Sequence, residues 1–338
     1  MPFYNIPKDS KDFKAKWAYE SDPHRVKVID LCVKVNELYE QGALDEDQRL
    51  YPDGITTKGS FLYYNDLVFV HTTKRNRGQA YYFYPTDTMK KPLREGKITH
   101  ETLERIVHMA NPERIKHGGT LYWEFFSKPG YPWVSTLSQA YALELFSTHK
   151  MFEGTCQLIL DSFDKDWHMG GVWDTKMDWF LEYPMYIDDN HKDVRRVLNG
   201  HLETLIILYR YFRRSGSDHA KRLFDRGENA LRKHLHKFIA PDNKTYYSMW
   251  QGTHPNKEKR EESYNDRYHH LHVAELWRMY TITNDDFYYD VVWDLMKVKP
   301  TYLPYYQTPW DVEIVEHRIP KDCCPTCKRD CVGCMESE

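Results

Sequence analysis

The sequence contains no long apolar segment and no dense run of lysine and arginine. Its 47 basic residues nearly balance its 50 acidic ones over 338 positions. A membrane helix needs about 20 apolar residues in a row, and a general nucleic-acid binder concentrates positive charge on one surface. The composition argues against both classes, so we expect no membrane span and no nucleic-acid partner.

Residues 1–16 also lack the apolar stretch on which a secretory signal peptide depends. The chain as given is therefore expected in the cytoplasm, or in the Golgi or outside the cell if it is a fragment of a longer protein. Cysteine is scarce over most of the chain, since five of the seven lie between Cys323 and Cys334. This distribution argues against a secreted fold held together by disulfides.

Aromatic residues, in contrast, are abundant: they make up 15% of the chain, including 26 tyrosines and 10 tryptophans. Aromatic faces stack on the CH-rich faces of sugar rings, and the tyrosine hydroxyl adds a hydrogen-bonding group. The simpler interpretation is that these side chains fill half-exposed core positions of a helical protein. Composition favours this simpler interpretation, so evidence for a carbohydrate ligand must come from the sequence motifs.

Apolar residues recur at helical spacing through much of the chain. Helices are predicted over 24–43, 99–110, 135–148, 152–163, 193–214, 217–238, 264–282 and 285–296. A β-rich run over 61–70, a polar turn at 74–78 and a second extended segment at 81–84 predict a hairpin. The pattern therefore predicts a mainly α fold, an α/α toroid or incomplete helical barrel with a small N-terminal β-hairpin or sheet region.

Three regions are expected: a mixed α/β region with the hairpin over 1–128, the helical toroid over 129–298 and an irregular Pro/Cys-rich tail over 299–338. The tail contains the sequences CPTC at 324–327 and CVGC at 331–334. Two such pairs supply the four thiolates of a tetrahedral zinc site. The short linker between them strains a single cage, and the adjacent Cys323 complicates the choice of ligands. A structural zinc between Cys324 and Cys334 and a reduced or redox-reactive tail therefore both stay open.

Three short segments combine acidic, phenolic and imidazole side chains at predicted helix edges or connections, where catalytic groups are common. Pro184 disfavours the α conformation for Tyr183, so Glu182 and Tyr183 are expected on an extended turn. Each segment alone is a weak signal, because it is usually only a turn or a polar patch. The segments are Glu182-Tyr183-Pro184, Thr245-Tyr246-Tyr247 and Arg267-Tyr268-His269-His270.

Five ordered motifs together resemble the C-terminal domain of the D-glucuronyl C5-epimerases. They are Asp178-Trp179, Glu182-Tyr183-Pro184, Val197-Leu198-Asn199-Gly200, Thr245-Tyr246-Tyr247 and Tyr268-His269-His270-Leu271-His272. Upstream, Pro129-Gly130 and Trp133 resemble the opening of the helical barrel in that family, so the likeness spans about 130–296. The resemblance implies an α/α toroid and an isomerase that acts on a uronic-acid polysaccharide, a glycosaminoglycan of the heparan sulfate or heparosan type. It implies catalytic roles for Glu182, Tyr183, Tyr247 and Tyr268.

The sequence departs from the family pattern in three places. Trp250 stands where the family has an arginine after the Thr-x-Tyr tyrosine, and residues 257–262 form a charge run of their own. The N-terminal region is much shorter than in the animal enzymes, and the family's calcium-binding residues cannot be placed in it. The polymer and its sulfation therefore stay open, and the expected chemistry requires no cofactor.

The residue types suit the chemistry that the resemblance implies. Removing the C5 hydrogen of a uronate places negative charge on its carboxylate, so a base, an acid on the opposite face and hydrogen-bond donors are needed. Glutamate, with a pKa of about 4.3, is ordinarily a weak base, and tyrosine, at about 10, is ordinarily protonated. Burial and shared hydrogen bonds are expected to move the two values toward each other. Our hypothesis makes Glu182 and Tyr268 the proton acceptor and donor, with Tyr183 and Tyr247 polarising the carboxylate or relaying a proton.

Three further residues are candidate substrate contacts. Asn199, at the start of a strong helix, is placed to donate to the substrate carboxylate, and a helix-start or core-bonded amide is the equal alternative. Arg267 is a candidate partner for a substrate acid, with a surface role as the alternative. His269 and His272 share a helix face without an evident third metal ligand. A substrate contact or a buried hydrogen bond is therefore favoured over a metal site.

Two other functions fit the same pattern. A polysaccharide lyase on a similar toroid also removes the C5 proton but then expels the C4 oxygen, and a non-catalytic carbohydrate-binding protein would keep the aromatic cleft. The glutamate and the three tyrosines favour an enzyme, and the resemblance favours the epimerase. A glycoside hydrolase is disfavoured because only Glu182 is clearly placed where two carboxyl groups are required. Homodimer formation is left open.

Overall fold

The computed structural model describes residues 56–58, 61–64, 67–71, 81–110, 123–125, 133–169, 171–187, 194–249 and 266–296. This part of the chain is mainly helical, as predicted. Its α-helices, in chain order, are α1 (Pro85–Glu95), α2 (His100–His108), α3 (Thr136–Phe146), α4 (Glu153–Asp164), α5 (Leu198–Ser215), α6 (Asp218–His234), α7 (Asp266–Thr283) and α8 (Asp286–Met296). No described helix is both long enough and apolar enough to cross a lipid bilayer.

The described strands are short and pair in the antiparallel direction. They are β1 (Thr56–Lys58), β2 (Phe61–Tyr64), β3 (Leu67–His71), β4 (Tyr81–Phe83), β5 (Glu124–Phe125), β6 (Trp133–Val134), β7 (Trp173–Asp174), β8 (Trp179–Phe180), β9 (Tyr183–Ile187) and β10 (Val194–Arg195). The first four strands form one sheet in chain order, and the others form the two-stranded ribbons β5–β6, β7–β8 and β9–β10.

The N-terminal sheet confirms the predicted hairpin and extends it. β3 pairs with β4, and the β-rich run before the turn divides into β2 and β3, with β1 beyond them. The sheet contacts α1 through a hydrogen bond from the N–H of Val68 to the hydroxyl of Thr88 at 2.9 Å. Phe69 and Phe83 are fully buried, and their rings meet edge to face. The sheet therefore shares one apolar core with the helices.

The sequence pattern does not predict α1, which contains two prolines. Pro85 occupies the first turn, where the missing N–H costs nothing, but Pro92 lies inside the helix, where proline is ordinarily unfavourable. The helix forms because Met89 and its neighbours on one face are buried against the sheet and α3. It ends at Gly96, whose φ of +62° is a left-handed conformation that glycine adopts without strain.

Helix α5 is the centre of the helical body. It packs against α3, α6 and α7, and α7 packs in turn against α8. α3 is buried along its whole length because it lies among α1, α4 and α5. One apolar cluster runs from the sheet through these helices to α8. Packing on several sides consequently fixes the position of α5 and of the side chains at its start.

The predicted helices that fall within the described residues are confirmed, apart from the start of α5. The prediction began this helix at residue 193, whereas Val194 and Arg195 form β10 and the helix begins at Leu198. The cause is pairing with the preceding strand, since Val194 lies opposite Ile187 and Arg195 opposite Tyr183. The predicted helix over 24–43, the region boundaries near residues 128 and 298, and the Cys-rich tail lie outside the described residues.

Candidate active site

The ribbon β9–β10 and the start of α5 bring the predicted catalytic segments together. Glu182 immediately precedes β9, and Tyr183 is the first residue of that strand, in the extended conformation that the sequence predicted. The preceding residue, Leu181, is held on both sides. Its N–H donates to the carbonyl of Val172 at 2.8 Å, and its carbonyl accepts the N–H of Thr136, the first residue of α3, at 3.0 Å. The backbone therefore fixes where the Glu182 side chain begins.

Pro184 lies at a position where the ribbon β9–β10 tolerates a proline. The pairing passes from Ile187 opposite Val194 directly to Tyr183 opposite Arg195, so the register shifts between the two pairs. Pro184 lies in the stretch that the register skips, where its missing N–H removes no ladder hydrogen bond. The Tyr-Pro step thus marks a local irregularity in the ribbon beside the site.

Gly200 lets the start of α5 approach the side chain of Glu182. A Cβ atom on Gly200 would lie 2.9 Å from both Cβ and Oε2 of Glu182. The neighbouring Asn199 directs its Nδ2 toward the same Oε2 at 3.5 Å. The Asn-Gly pair of the sequence motif therefore serves the site, because glycine makes room for the carboxylate and asparagine offers it a weak donor.

The three predicted tyrosines form a row beside this carboxylate. The hydroxyl of Tyr183 hydrogen-bonds to Glu182, and the hydroxyl of Tyr247 donates to that of Tyr183 at 3.4 Å. The rings of Tyr247 and Tyr268 follow, with their centroids 4.2 Å apart. A backbone bond from the N–H of Leu198 to the carbonyl of Tyr247, 3.1 Å long, ties this row to the start of α5. The structure thus places Glu182, Tyr183, Tyr247 and Tyr268 in one cluster.

Burial shifts the acid–base properties of this cluster. Burial raises the pKa of Glu182 to about 7, and its hydrogen bond with Tyr183 opposes the rise only in part. Burial first, and the Glu182 carboxylate second, also raise the pKa of Tyr183 and of Tyr247. The pKa values of glutamate and tyrosine were expected to move toward each other. This prediction is right for Glu182 and wrong for Tyr183 and Tyr247, because burial disfavours the charged form of both residue types. Tyr183 and Tyr247 stay protonated hydrogen-bond donors.

The Asp-Trp motif has a structural role beneath the site. Trp179 is fully buried, donates its indole N–H to the carbonyl of Val197 at 3.1 Å and stacks on His201. His201 accepts the N–H of Phe180 on Nδ1 at 3.0 Å, so its Nε2 donates to the carbonyl of Gly227 at 2.9 Å. These two bonds require a neutral ring, and burial accordingly lowers the pKa of His201 to about 3.

Two histidines of the Tyr-His motif, His269 and His272, form hydrogen bonds next to the tyrosine row. The N–H of Thr245 donates to Nδ1 of His269 at 3.2 Å, and the Thr245 hydroxyl lies 2.8 Å from Nδ1 of His272. Both imidazoles are buried. These contacts join the segment before Tyr247 to the first turns of α7, which carry Tyr268. The geometry fits the buried hydrogen-bonded alternative for His269 better than a substrate contact.

No group of three or more His, Cys, Asp or Glu side chains within the described ranges is arranged to hold a metal ion. The side chain of Arg267, in the first turn of α7, and the whole of Trp250 lie outside the described part of the chain.

Two arginines that no sequence motif marked lie at the end of β10 and directly after it. Arg196 is buried, and its Nε donates to Oδ2 of Asp174 at 2.6 Å. Arg195 is half-buried, and its guanidinium carbon lies 5.5 Å from the centre of the Tyr247 ring. No local motif marks Arg195, because only the pairing of β10 with β9 brings it to the cluster.

A second layer of carboxylates behind the cluster also went unpredicted. The hydroxyl of Tyr141 donates to Oε2 of Glu203 at 2.6 Å, and Nζ of Lys90 lies 3.8 Å from the same oxygen. Glu275 is fully buried, and burial first, then the neighbouring Glu203, raise its pKa well above the ordinary value. Helical spacing was an available signal: Glu203 follows Asn199 by one turn of α5, and two turns of α7 separate Glu275 from Tyr268.

Comparison with known proteins agrees with this assembly of motifs. The family model described as D-glucuronyl C5-epimerase C-terminus matches residues 120–295, more than half of the chain. The matched interval contains all four residues of the cluster, and it confirms the resemblance drawn from the five motifs. No curated protein matches the chain. The chain therefore belongs to the family of the D-glucuronyl C5-epimerase C-terminus.

Proposed function

We propose that the protein epimerises C5 of a uronic acid within a polysaccharide, a reaction of the glucuronyl-to-iduronyl type. The observation that carries the proposal is the shared cluster in which Glu182 meets Tyr183, Tyr247 and Tyr268. A carboxyl group with a pKa near neutrality beside protonated phenols has the components of an acid–base site. Membership of the family supports an isomerase that acts on a carbohydrate.

In the proposed reaction, Glu182 removes the C5 hydrogen from one face of the sugar and Tyr268 delivers a proton to the other. The electron pair left at C5 delocalises into the substrate carboxylate, which then carries increased negative charge. With substrate bound, the hydroxyls of Tyr183 and Tyr247 turn from their present acceptors, Glu182 and Tyr183, and donate their single protons to that charge. The proton on Glu182 must return to Tyr268 after each turnover, and the hydroxyls of Tyr183 and Tyr247 supply the part of that path next to Glu182.

The start of α5 adds neutral donors to the proposed site. Val197 precedes the helix without capping it through its side chain, and the first peptide N–H groups of a helix carry partial positive charge. Asn199 is buried, and its Oδ1 has no hydrogen-bond partner within the described part of the chain. An amide oxygen accepts hydrogen bonds, so Oδ1 suits a contact with a sugar hydroxyl, whereas the substrate carboxylate would need the N–H groups.

Architecture and substrate class belong to the same proposal. The packing of α5 among α3, α6 and α7 supports an α/α toroid with the cluster at one end. The row of tyrosines suits a sugar ligand, and membership of the family makes a glycosaminoglycan of the heparan sulfate or heparosan type the proposed substrate. No cofactor takes part in the proposed steps. Zinc in the Cys324–Cys334 tail, the family's calcium site and a homodimer stay predictions.

Incubation with unsulfated uronate polymers in heavy water, followed by NMR at C5, tests the proposal. An epimerase incorporates deuterium at C5 and leaves the polymer length unchanged. A lyase shortens the polymer and produces an unsaturated sugar that absorbs ultraviolet light. Binding without exchange would instead identify a carbohydrate-binding protein.

Replacing Tyr268 tests the second face of the mechanism. We expect Tyr268→Phe to lower deuterium incorporation at least about 100-fold, since a general acid or base contributes about 10²- to 10⁴-fold. Tyr280→Phe is the matched control, because Tyr280 lies on the same helix and its ring contacts Trp277 and Tyr289 instead. Full retention of exchange in Tyr268→Phe would remove this tyrosine from the mechanism.

A further inference from the structure

Arg195 is the cationic side chain that β10 places beside the tyrosine row. It lies opposite Tyr183 in the antiparallel ribbon. Side chains alternate between the two faces of an extended strand, and both neighbours of Arg195 are committed elsewhere. Val194 is buried in the core, and buried Arg196 donates to Asp174 at 2.6 Å. Arg195 is half-buried and lies on the face that Tyr247 occupies.

The charge of Arg195 reaches the reacting groups. Its guanidinium carbon is 5.5 Å from the centre of the Tyr247 ring. Burial raises the pKa of Glu182 to about 7, and Arg195 is one of the cations that oppose this rise. Burial likewise raises the pKa of Tyr247, and Arg195 again opposes it. One guanidinium therefore lies within electrostatic range of both side chains.

Lys90 opposes the rise in the pKa of Glu182 more than Arg195 does, but it belongs to the second layer of the site. Its Nζ lies 3.8 Å from Oε2 of Glu203 and 4.3 Å from the centre of the Tyr141 ring. Arg196 is likewise bound to Asp174. Arg195 is thus the described cation that accompanies the tyrosine row itself.

The proposed reaction requires positive charge at this position. It brings a uronate anion next to the carboxylate of Glu182, and loss of the C5 proton increases the charge on the substrate carboxylate. Tyr183 and Tyr247 are neutral and cannot balance that charge. A guanidinium is always protonated, and its parallel N–H groups match the two oxygens of a carboxylate.

We propose that Arg195 binds the carboxylate of the uronate at the reacting carbon and makes the site specific for acidic over neutral sugars. This inference rests on the proposed function, because it names the group that holds the substrate of that reaction.

A binding cycle tests the inference without relying on catalysis. The two ligands are a trisaccharide whose central sugar is a uronate and its carboxyl-reduced counterpart, in which the same sugar is neutral. Each is titrated by calorimetry into the wild-type chain and into Arg195→Gln. The wild-type chain should bind the uronate about 10- to 100-fold more tightly, as expected for a charge-assisted pair. In Arg195→Gln this ratio should fall below about threefold.

Two further variants make the cycle decisive. Arg213→Gln is the matched control, because Arg213 is exposed near the far end of α5, where it donates to the hydroxyl of Tyr209 at 3.3 Å. Its ratio should equal that of the wild-type chain. Arg195→Lys keeps the charge and loses the paired donors, so its ratio should fall between the two extremes. If circular dichroism shows that Arg195→Gln does not fold, a wild-type ratio in Arg195→Lys overturns the inference.

The outcomes distinguish this inference from the proposed function. Deuterium exchange at C5 together with a wild-type ratio in Arg195→Gln would support the epimerase and reject Arg195 as the carboxylate contact. Absence of exchange together with a ratio that collapses in Arg195→Gln would reject the proposed reaction and leave Arg195 as the carboxylate contact of a binding protein.

Discussion

The two ends of α5 each hold a buried carboxylate, and they treat it differently. Near the C-terminal end, Arg214 donates to both oxygens of Glu144, at 2.7 and 2.6 Å. At the N-terminal end, Glu182 receives hydrogen bonds from neutral groups, the hydroxyl of Tyr183 and the amide of Asn199, the latter at 3.5 Å. The two ends of α5 therefore border one carboxylate site built for an ion pair and another built without one.

Burial does not distinguish these sites, since Glu144 is 3% exposed and Glu182 is 8% exposed. The donors do. A bidentate arginine satisfies both oxygens with opposite charge and matching geometry. Neutral donors leave Glu182 with a pKa of about 7, at which it can take up and release a proton. The comparison teaches that a buried glutamate becomes a candidate base through the neutrality of its immediate partners.

The largest expected effect comes from Glu182→Gln, which preserves the shape of the side chain and removes its proton chemistry. Deuterium exchange at C5 should fall at least about 1,000-fold, because the variant lacks the proposed base. The thermal midpoint should stay the same or rise, because a neutral amide replaces a buried carboxyl group. NMR in heavy water and thermal denaturation measure the two effects. Exchange near the wild-type rate would contradict the assignment of the N-terminal end of α5 as the reactive one.

A smaller effect is expected from Gly200→Ala, which narrows the space around Glu182. The added methyl group would lie 2.9 Å from two atoms of that side chain. Overpacking of this kind costs about 1–3 kcal/mol of unfolding free energy, and the displaced carboxylate should lower exchange on the order of 100-fold. Denaturant unfolding and the exchange assay report these changes.

Gly154→Ala provides the control for this substitution. Gly154 lies in α4, and a Cβ atom there would meet nothing within 4 Å. The variant should keep its exchange rate and gain up to about 1 kcal/mol from better helix propensity. Equal behaviour of the two alanine variants would show that the close approach at Gly200 has no role.

The pH dependence of exchange should report the same carboxyl group. Glu182 acts as the base only when ionised, so a pKa of about 7 predicts that exchange falls about tenfold between pH 8 and pH 6. Because folding raises this pKa above its ordinary 4.5, Glu182 destabilises the fold increasingly as pH rises from 4.5 to about 7. Glu182→Gln should therefore gain stability relative to the wild-type chain over that interval. An exchange rate that does not change between pH 8 and pH 6 would assign the base to another group.

The smallest effect on exchange is expected from Glu144→Gln at the other end of the helix. Loss of the paired bonds should cost about 1–2 kcal/mol of unfolding free energy, a modest value because the Arg214 side chain is 39% exposed. Exchange per folded molecule should stay within about twofold of the wild-type rate, since the substitution is remote from the reacting groups. Denaturant unfolding combined with the exchange assay separates the two quantities. A large loss of exchange at unchanged stability would mean that the two ends of α5 are not independent.

Sequence alone predicted the residues of the cluster because each belongs to a short motif whose order along the chain carries information. Helical periodicity likewise placed α6 and α7 within a few residues of their positions. Arg195 and the true start of α5 could not be found in this way. Both depend on the pairing of β10 with the preceding strand β9, which helical periodicity does not reveal.

Two other differences have physical causes that a local pattern conceals. α1 forms despite Pro92 because its buried face outweighs the lost hydrogen bond. The pKa values of Tyr183 and Tyr247 rise because burial penalises a phenolate as it penalises a carboxylate. The degree of burial follows from how the helices pack, and the sequence motifs carry no measure of it.

The ribbon β9–β10 places the proposed carboxylate contact opposite a tyrosine of the cluster. Tyr183 and Arg195 face each other from different strands, and backbone pairing holds the strands in register. A substitution at position 195 is therefore expected to change how the substrate carboxylate is held while the backbone pairing keeps Tyr183 in place. Because the proposed reaction needs the charge of Arg195, such a substitution should weaken binding and turnover together, so this single position is one at which natural variation or engineering can tune both.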